Sequence, residues 1–160
     1  MSKPKVILAV IGGDPCSAEE AGLAREVGER IARAGALLIT GGLGGVMEAA
    51  SEGAATAGGT TVGILPGNDP SAANRHVAIP IATGLGHVRN TVVATAADAV
   101  IAIGGKAGTL SEIAFAHLRG RPVIGLRTWR LEEGRLIEEG VRQAETPEEA
   151  VRLALEAVRR

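Results

Sequence analysis

Aromatic side chains are nearly missing from this 160-residue chain: Phe115 and Trp129 are the whole set, and tyrosine is absent. Proteins that hold nucleic acid neutralise phosphates with many cations, and those that hold single strands also stack bases on aromatics. A formal net charge of −1 at pH 7 offers little toward either, so no nucleic-acid partner is expected. Cysteine is limited to Cys16, which excludes an intramolecular disulfide and a cysteine-based zinc site. His76, His87 and His117 have no metal-ligand spacing, so no metal site is expected. No apolar run approaches membrane-spanning length, and the segment leading into the first strand is too short for a signal peptide. These absences together predict a cytoplasmic protein with no membrane partner and no required cofactor.

What the chain does have is small and aliphatic. Hydrophobic residues make up 46% of it, and there are 23 glycines. A core of Val, Ile, Leu and Ala is how buried parallel strands and their covering helices read. So many glycines imply several turns with special backbone geometry. The length suits one domain spanning 1–160.

Apolar runs at 6–11, 36–40, 60–65, 76–81, 99–103 and 122–126 read as strands, the fourth being the least regular. Helical segments alternate with them, from Ser17 to about 34, from the glycines after Thr40 to about 57, at 87–97, at 109–118, and from Thr146 onward. Ser17 before Ala18-Glu19-Glu20 is a capping signal, and Thr146-Pro147-Glu148-Glu149 is another. Residues 68–75 read as a loop. Residues 128–143, charged and punctuated by glycine, hold either a short strand or a loop. Alternating strands and helices predict an α/β fold: a Rossmann-like three-layer sandwich on a mainly parallel sheet of about six or seven strands. Ligands of such sheets bind beyond the carboxyl ends of the strands.

Two glycine turns sit at that edge. The first is Gly41-Gly42-Leu43-Gly44-Gly45, between a strand and a helix, and the second is Gly104-Gly105-Lys106-Ala107-Gly108-Thr109 in the same position. Glycine lets the backbone approach a ligand, and the helix start that follows offers free N–H groups to a phosphate. Neither turn is a dinucleotide fingerprint or a P-loop. Each alone is equally a tight connection; two on one sheet edge favour a phosphorylated small molecule. The first strand also ends in Gly12-Gly13, which places Gly12 at the same edge.

Two charged residues border these turns. Arg89, in the first turn of its helix, opposes the helix dipole, which reads either as the need for a partner, a phosphate or Glu112, or as a solvated arginine. Thr109-Leu110-Ser111-Glu112 has capping-box spacing, which spacing alone favours; the functional alternative puts the Glu112 carboxylate at the ligand, as a hydrogen-bond acceptor or catalytic group. Lys106 reads as a solvated lysine or as charge for a phosphate. Glu48 either faces the ligand or favours its helix start. Cys16, near a helix start, reads either as a thiol of lowered pKa or as an idle cysteine.

The segments Thr40–Glu48, Gly58–Gly67, Thr83–Asn90 and Gly104–Glu112 together resemble the superfamily once mislabelled lysine decarboxylases. It includes the Lonely Guy phosphoribohydrolases and the molybdenum-cofactor carrier proteins. The Val-Met-Glu end of the first turn and the Gly-x-x-x-Arg-Asn segment are similar to the carrier-like branch. That resemblance implies a homo-oligomer, dimer or tetramer, whose cradle of Gly41, Gly42, Gly44, Gly45, Gly105, Gly108 and Thr109 holds a molybdenum-cofactor-like ligand or a nucleotide. In the phosphoribohydrolases a Glu and an upstream Arg are catalytic, which implies Glu112 and Arg89 here if the chain is an enzyme cleaving an N-glycosidic bond. The chain departs from that pattern at Ile103, where a Pro is usual, and at Asn90, where a Lys is usual. A regulatory nucleotide sensor is the third reading.

Overall fold

A computed structural model describes residues 5–131 and 140–158. Seven strands form one sheet in the order β4-β3-β2-β1-β5-β6-β7, and every neighbouring pair is parallel. They are β1 (Ile7–Gly12), β2 (Leu37–Thr40), β3 (Thr61–Leu65), β4 (Ile79–Ala82), β5 (Ala99–Ile103), β6 (Val123–Leu126) and β7 (Arg142–Ala144). The chain winds outward from β1 to β4, then returns to β5 on the other side of β1. That reversal leaves a crevice above the carboxyl ends of β1 and β5.

Side chains alternate along the central strands, so each strand feeds two cores. Leu8, Val10, Leu38, Ile101 and Ile103 pack with α1 (Ala18–Arg33), α2 (Val46–Thr56) and α5 (Pro147–Val158). Ala9, Ile11, Ile39, Val100 and Ala102 face α3 (Arg89–Ala96) and α4 (Ala107–Leu118) on the other side. This burial on both faces is why the strands read as unbroken apolar runs rather than as alternating ones.

Local signals set the helix starts. Ser17 Oγ accepts from the Glu20 N–H at 3.1 Å while Glu20 Oε2 accepts from the Ser17 N–H at 2.8 Å, a complete capping box. Thr146 Oγ1 accepts from the Glu149 N–H at 3.1 Å and starts α5 in the same way. α1 and α2 lie close enough that a Cβ on Gly53 would stand 1.9 Å from the Arg25 carbonyl oxygen.

Three expectations shift. The fourth strand runs over Ile79–Ala82 instead of 76–81, because His76 and Ala78 sit in the turn that Asn74 and Thr61 hold. The helix expected from residue 87 opens as a short 3-10 turn, Gly86–Val88, and becomes α-helical at Arg89. Within 128–143 the strand alternative holds at Arg142–Ala144, while residues 132–139 lie outside the described residues. Among the described residues no helix is long and apolar enough to cross a membrane, and no group of His, Cys, Asp and Glu is placed to hold a metal ion.

Candidate functional site

The crevice at the reversal is a cleft lined by four separate stretches of chain. Gly12, Gly13 and Asp14 leave β1, Gly41 and Met47 flank the first glycine turn, His87, Arg89 and Asn90 open α3, and Lys106, Gly108, Thr109 and Glu112 open α4. Of the residues singled out from sequence, Gly12, Gly41, Arg89, Lys106, Gly108, Thr109 and Glu112 meet there. Gly42, Gly44, Gly45 and Gly105 are not among the lining residues. Gly42 backs onto Gly63 and Leu65, Gly44 and Gly45 lie under Asp14, and Gly105 lies against Thr109.

Arg89 and Glu112 are charged side chains buried in this cleft, with side-chain exposures of 10% and 8%. Arg89 Nη1 stands 4.0 Å from Glu112 Oε1, too far for a direct hydrogen bond. It donates instead to Asn90 Oδ1, and Arg89 Nε is buried with no partner among the described residues. The guanidinium fits because residue 41 is glycine. A Cβ there would lie 2.8 Å from Arg89 Nη2 and 2.6 Å from Met47 Sδ.

Burial pushes the Glu112 carboxyl up to about 8, with the Arg89 charge acting against the rise. Burial also draws the Arg89 guanidinium below its ordinary value, and Glu112 opposes that. A guanidinium nevertheless stays charged at neutral pH. The pair at pH 7 is therefore a cation beside a largely protonated carboxylic acid, which leaves the cation open to a further anion.

The capping box expected at Thr109–Glu112 does not form. α4 starts two residues earlier than expected, with Lys106 in the N-cap position and no side-chain cap. Thr109 is thereby drawn inside the helix and buried, and Glu112 moves one turn deeper, where its carboxyl faces Arg89 instead of the helix end. Lys106 is exposed at the rim.

Asn90 was not expected in the site. Its Nδ2 donates to Ser111 Oγ at 3.4 Å, and Ser111 Oγ donates to the Gly108 carbonyl at 2.6 Å. Arg89, Asn90 and Ser111 thus tie the start of α3 to the first turn of α4. Asn74, in the 68–75 loop, was missed as well. Its backbone N–H donates to the Gly42 carbonyl at 2.9 Å and its side chain to the Leu43 carbonyl at 2.9 Å, which pins the first glycine turn. Cys16 is half-buried, and burial together with Glu20 and Asp14 pushes its thiol up. That overturns the lowered-thiol alternative.

An all-parallel sheet with a charged cleft at its reversal point defines a Rossmann-like α/β protein. The chain belongs to the SLOG cluster4 family, whose model matches residues 5–151. An uncharacterized protein of Archaeoglobus fulgidus is 45% identical over 144 residues, covering 90% of this chain and 91% of that one. The molybdenum cofactor binding protein of Rippkaea orientalis superposes with a TM-score of 0.90 at 36% identity, covering 98% of this chain and 99% of that one. The molybdenum cofactor carrier protein of Chlamydomonas reinhardtii superposes with a TM-score of 0.85 at 31% identity, covering 98% and 100%. The likeness to the carrier-like branch read from the motifs is thus carried by the whole fold.

Proposed function

We propose that this chain is a binding or carrier protein for a phosphorylated heterocycle, with a molybdenum-cofactor-like ligand in first place and a nucleotide in second. The observation that carries the reading is Arg89: a buried cation in the cleft, with an unpartnered Nε and a neighbouring carboxyl largely protonated at neutral pH. A phosphate answers that charge. The start of α4 adds backbone N–H groups around Gly108 and Thr109, and Lys106 adds charge at the rim. The likeness to the molybdenum cofactor binding protein and the molybdenum cofactor carrier protein named above supports the same choice of ligand.

The test is equilibrium dialysis against molybdenum cofactor released from a molybdoenzyme, with retained molybdenum measured by mass spectrometry. Retention at micromolar cofactor, lost by tenfold or more in Arg89→Ala, is the expected result. No retention of cofactor and no binding of any nucleotide would reject the reading.

One observation favours a second activity in the same cleft. A carboxyl with a pKa of about 8 beside a cation can donate a proton to a leaving base at neutral pH. Arg89 would hold the phosphate or ribose of a nucleoside 5′-monophosphate, and Glu112 would protonate the leaving base as the N-glycosidic bond breaks, while water adds at the anomeric carbon, gives ribose 5-phosphate and returns a proton to Glu112. Incubation with AMP, GMP, CMP and UMP, followed by chromatography for free base, decides it. Turnover abolished in Glu112→Gln establishes a phosphoribohydrolase; no turnover in the folded protein leaves the carrier reading alone. The proposal includes self-association into a dimer or tetramer, because Val88 and Leu118, on the α3–α4 layer, are 66% and 79% exposed.

A further inference from the structure

Asp14 is an acidic lining residue that the reading above leaves without a task. It follows Gly13 directly at the end of β1 and overhangs the first glycine turn. A Cβ on Gly44 would stand 2.8 Å from Asp14 Oδ2, and one on Gly45 2.8 Å from Asp14 Cα, so the two glycines make the seat in which Asp14 rests. Among the described residues its carboxylate accepts no hydrogen bond and forms no ion pair, and the side chain is open to solvent on the cleft wall. Its negative charge turns a phosphate away from its own side of the cleft, because like charges at short range repel.

The polar groups of the cleft therefore differ in kind. Arg89, Lys106 and the backbone N–H groups at the start of α4 suit a phosphate. Asp14 offers a carboxylate, which can only accept hydrogen bonds. The part of a phosphorylated ligand that meets Asp14 is its ring and not its phosphate.

We propose, on the reading that the cleft takes a phosphorylated heterocycle, that Asp14 selects the ring by accepting from two adjacent N–H donors on its edge. A 2-amino-4-oxo-pyrimidine edge, as in guanine or a pterin, presents a ring N–H beside an exocyclic amine and pairs with both carboxylate oxygens. Hypoxanthine keeps the ring N–H and loses the amine. Adenine turns a ring nitrogen lone pair toward the carboxylate and is rejected. Asn in place of Asp offers one donor and one acceptor, which suits the adenine edge and not the guanine edge.

The probes are GMP, IMP, AMP and ribose 5-phosphate, titrated calorimetrically into the native chain and into Asp14→Asn, with chromatography afterward to verify that the nucleotides are intact. The native chain is expected to bind GMP at least tenfold more tightly than AMP, with IMP between them. In Asp14→Asn that preference is expected to vanish or invert. Ribose 5-phosphate, which has no ring edge, is expected to bind the variant at least as well as the native chain. GMP and AMP binding the native chain within twofold of each other, while ribose 5-phosphate also binds, overturns the role of Asp14 and leaves the phosphate cleft standing. An Asp14→Asn variant that retains the native GMP preference also overturns it. A native chain that binds none of the four probes rejects the cleft reading itself, and this inference falls with it.

Discussion

Glu112 has an environment with a testable consequence. Burial pushes its carboxyl up to about 8 in the folded chain from an ordinary value of 4.5. Between those values the folded state holds the extra proton, so stability falls as pH rises and levels off above the folded value. The slope from one such group is at most ~1.4 kcal/mol per pH unit. Glu112→Gln mimics the neutral acid. Its chemical-denaturation stability is expected to match the native chain near pH 5 and to exceed it progressively toward pH 8. A parallel pH dependence in the two proteins would refute the assignment. Asn90 gives a second test at this scale. Asn90→Ala leaves Arg89 Nη1 buried without its acceptor and is expected to cost about 1–3 kcal/mol, read as a lower denaturation midpoint, together with weaker binding of any phosphate ligand. A single Asp between Gly13 and Pro15 carries no sequence signal for a site. Asn90 carried one only as a departure from the related pattern, at the place where the structure uses it as a brace.

At the scale of elements, β1, β2, β3, β5 and β6 are found within a residue of the apolar runs that mark them, because strands buried on both faces have no polar positions to blur their ends. The capping boxes divide instructively. Ser17–Glu20 forms as its spacing says, whereas Thr109–Glu112 does not, since the glycines before it let α4 begin earlier and carry both residues inward. Spacing records a pattern and not the helix start, and here the start was decided by backbone freedom at Gly104 and Gly105, both at positive φ. Seams between helices were not legible either, because a glycine within an apolar helix looks like any small residue. Gly53 stands against the Arg25 carbonyl of α1, a backbone atom with no room to withdraw. Gly53→Ala is therefore expected to cost several kcal/mol, on the order of 3, seen as a large drop in Tm. Gly41→Ala meets the flexible ends of Arg89 and Met47 instead. That variant is expected to stay folded and lose at least tenfold in ligand affinity, and an unfolded Gly41→Ala protein would contradict the contrast.

Across the whole molecule, the parallel sheet expected from alternating segments is realised with seven strands, β7 closing the edge beyond β6. Apolar side chains at Ile79, Ile81, Leu85, Val88 and Leu118 remain at the surface on the way to that fold. Under the proposed self-association, light scattering after size exclusion should give a mass of two or four chains, and glutamate at both Val88 and Leu118 should reduce it to one without altering the far-ultraviolet spectrum. A single-chain mass for the native protein would reject the association.

The four stretches that line the cleft are far apart along the chain, at 12–14, 41–47, 87–90 and 106–112. Any ligand that touches all four fastens β1, α2, α3 and α4 to one another without a covalent bond. A ligand present at a hundred times its Kd adds about 2.7 kcal/mol to the folded state. Local openings that would expose the chain to proteases become rarer by the same factor wherever they release the ligand. Under the proposed binding, the loaded form would outlast the empty one, and the amount of protein would follow the supply of its ligand.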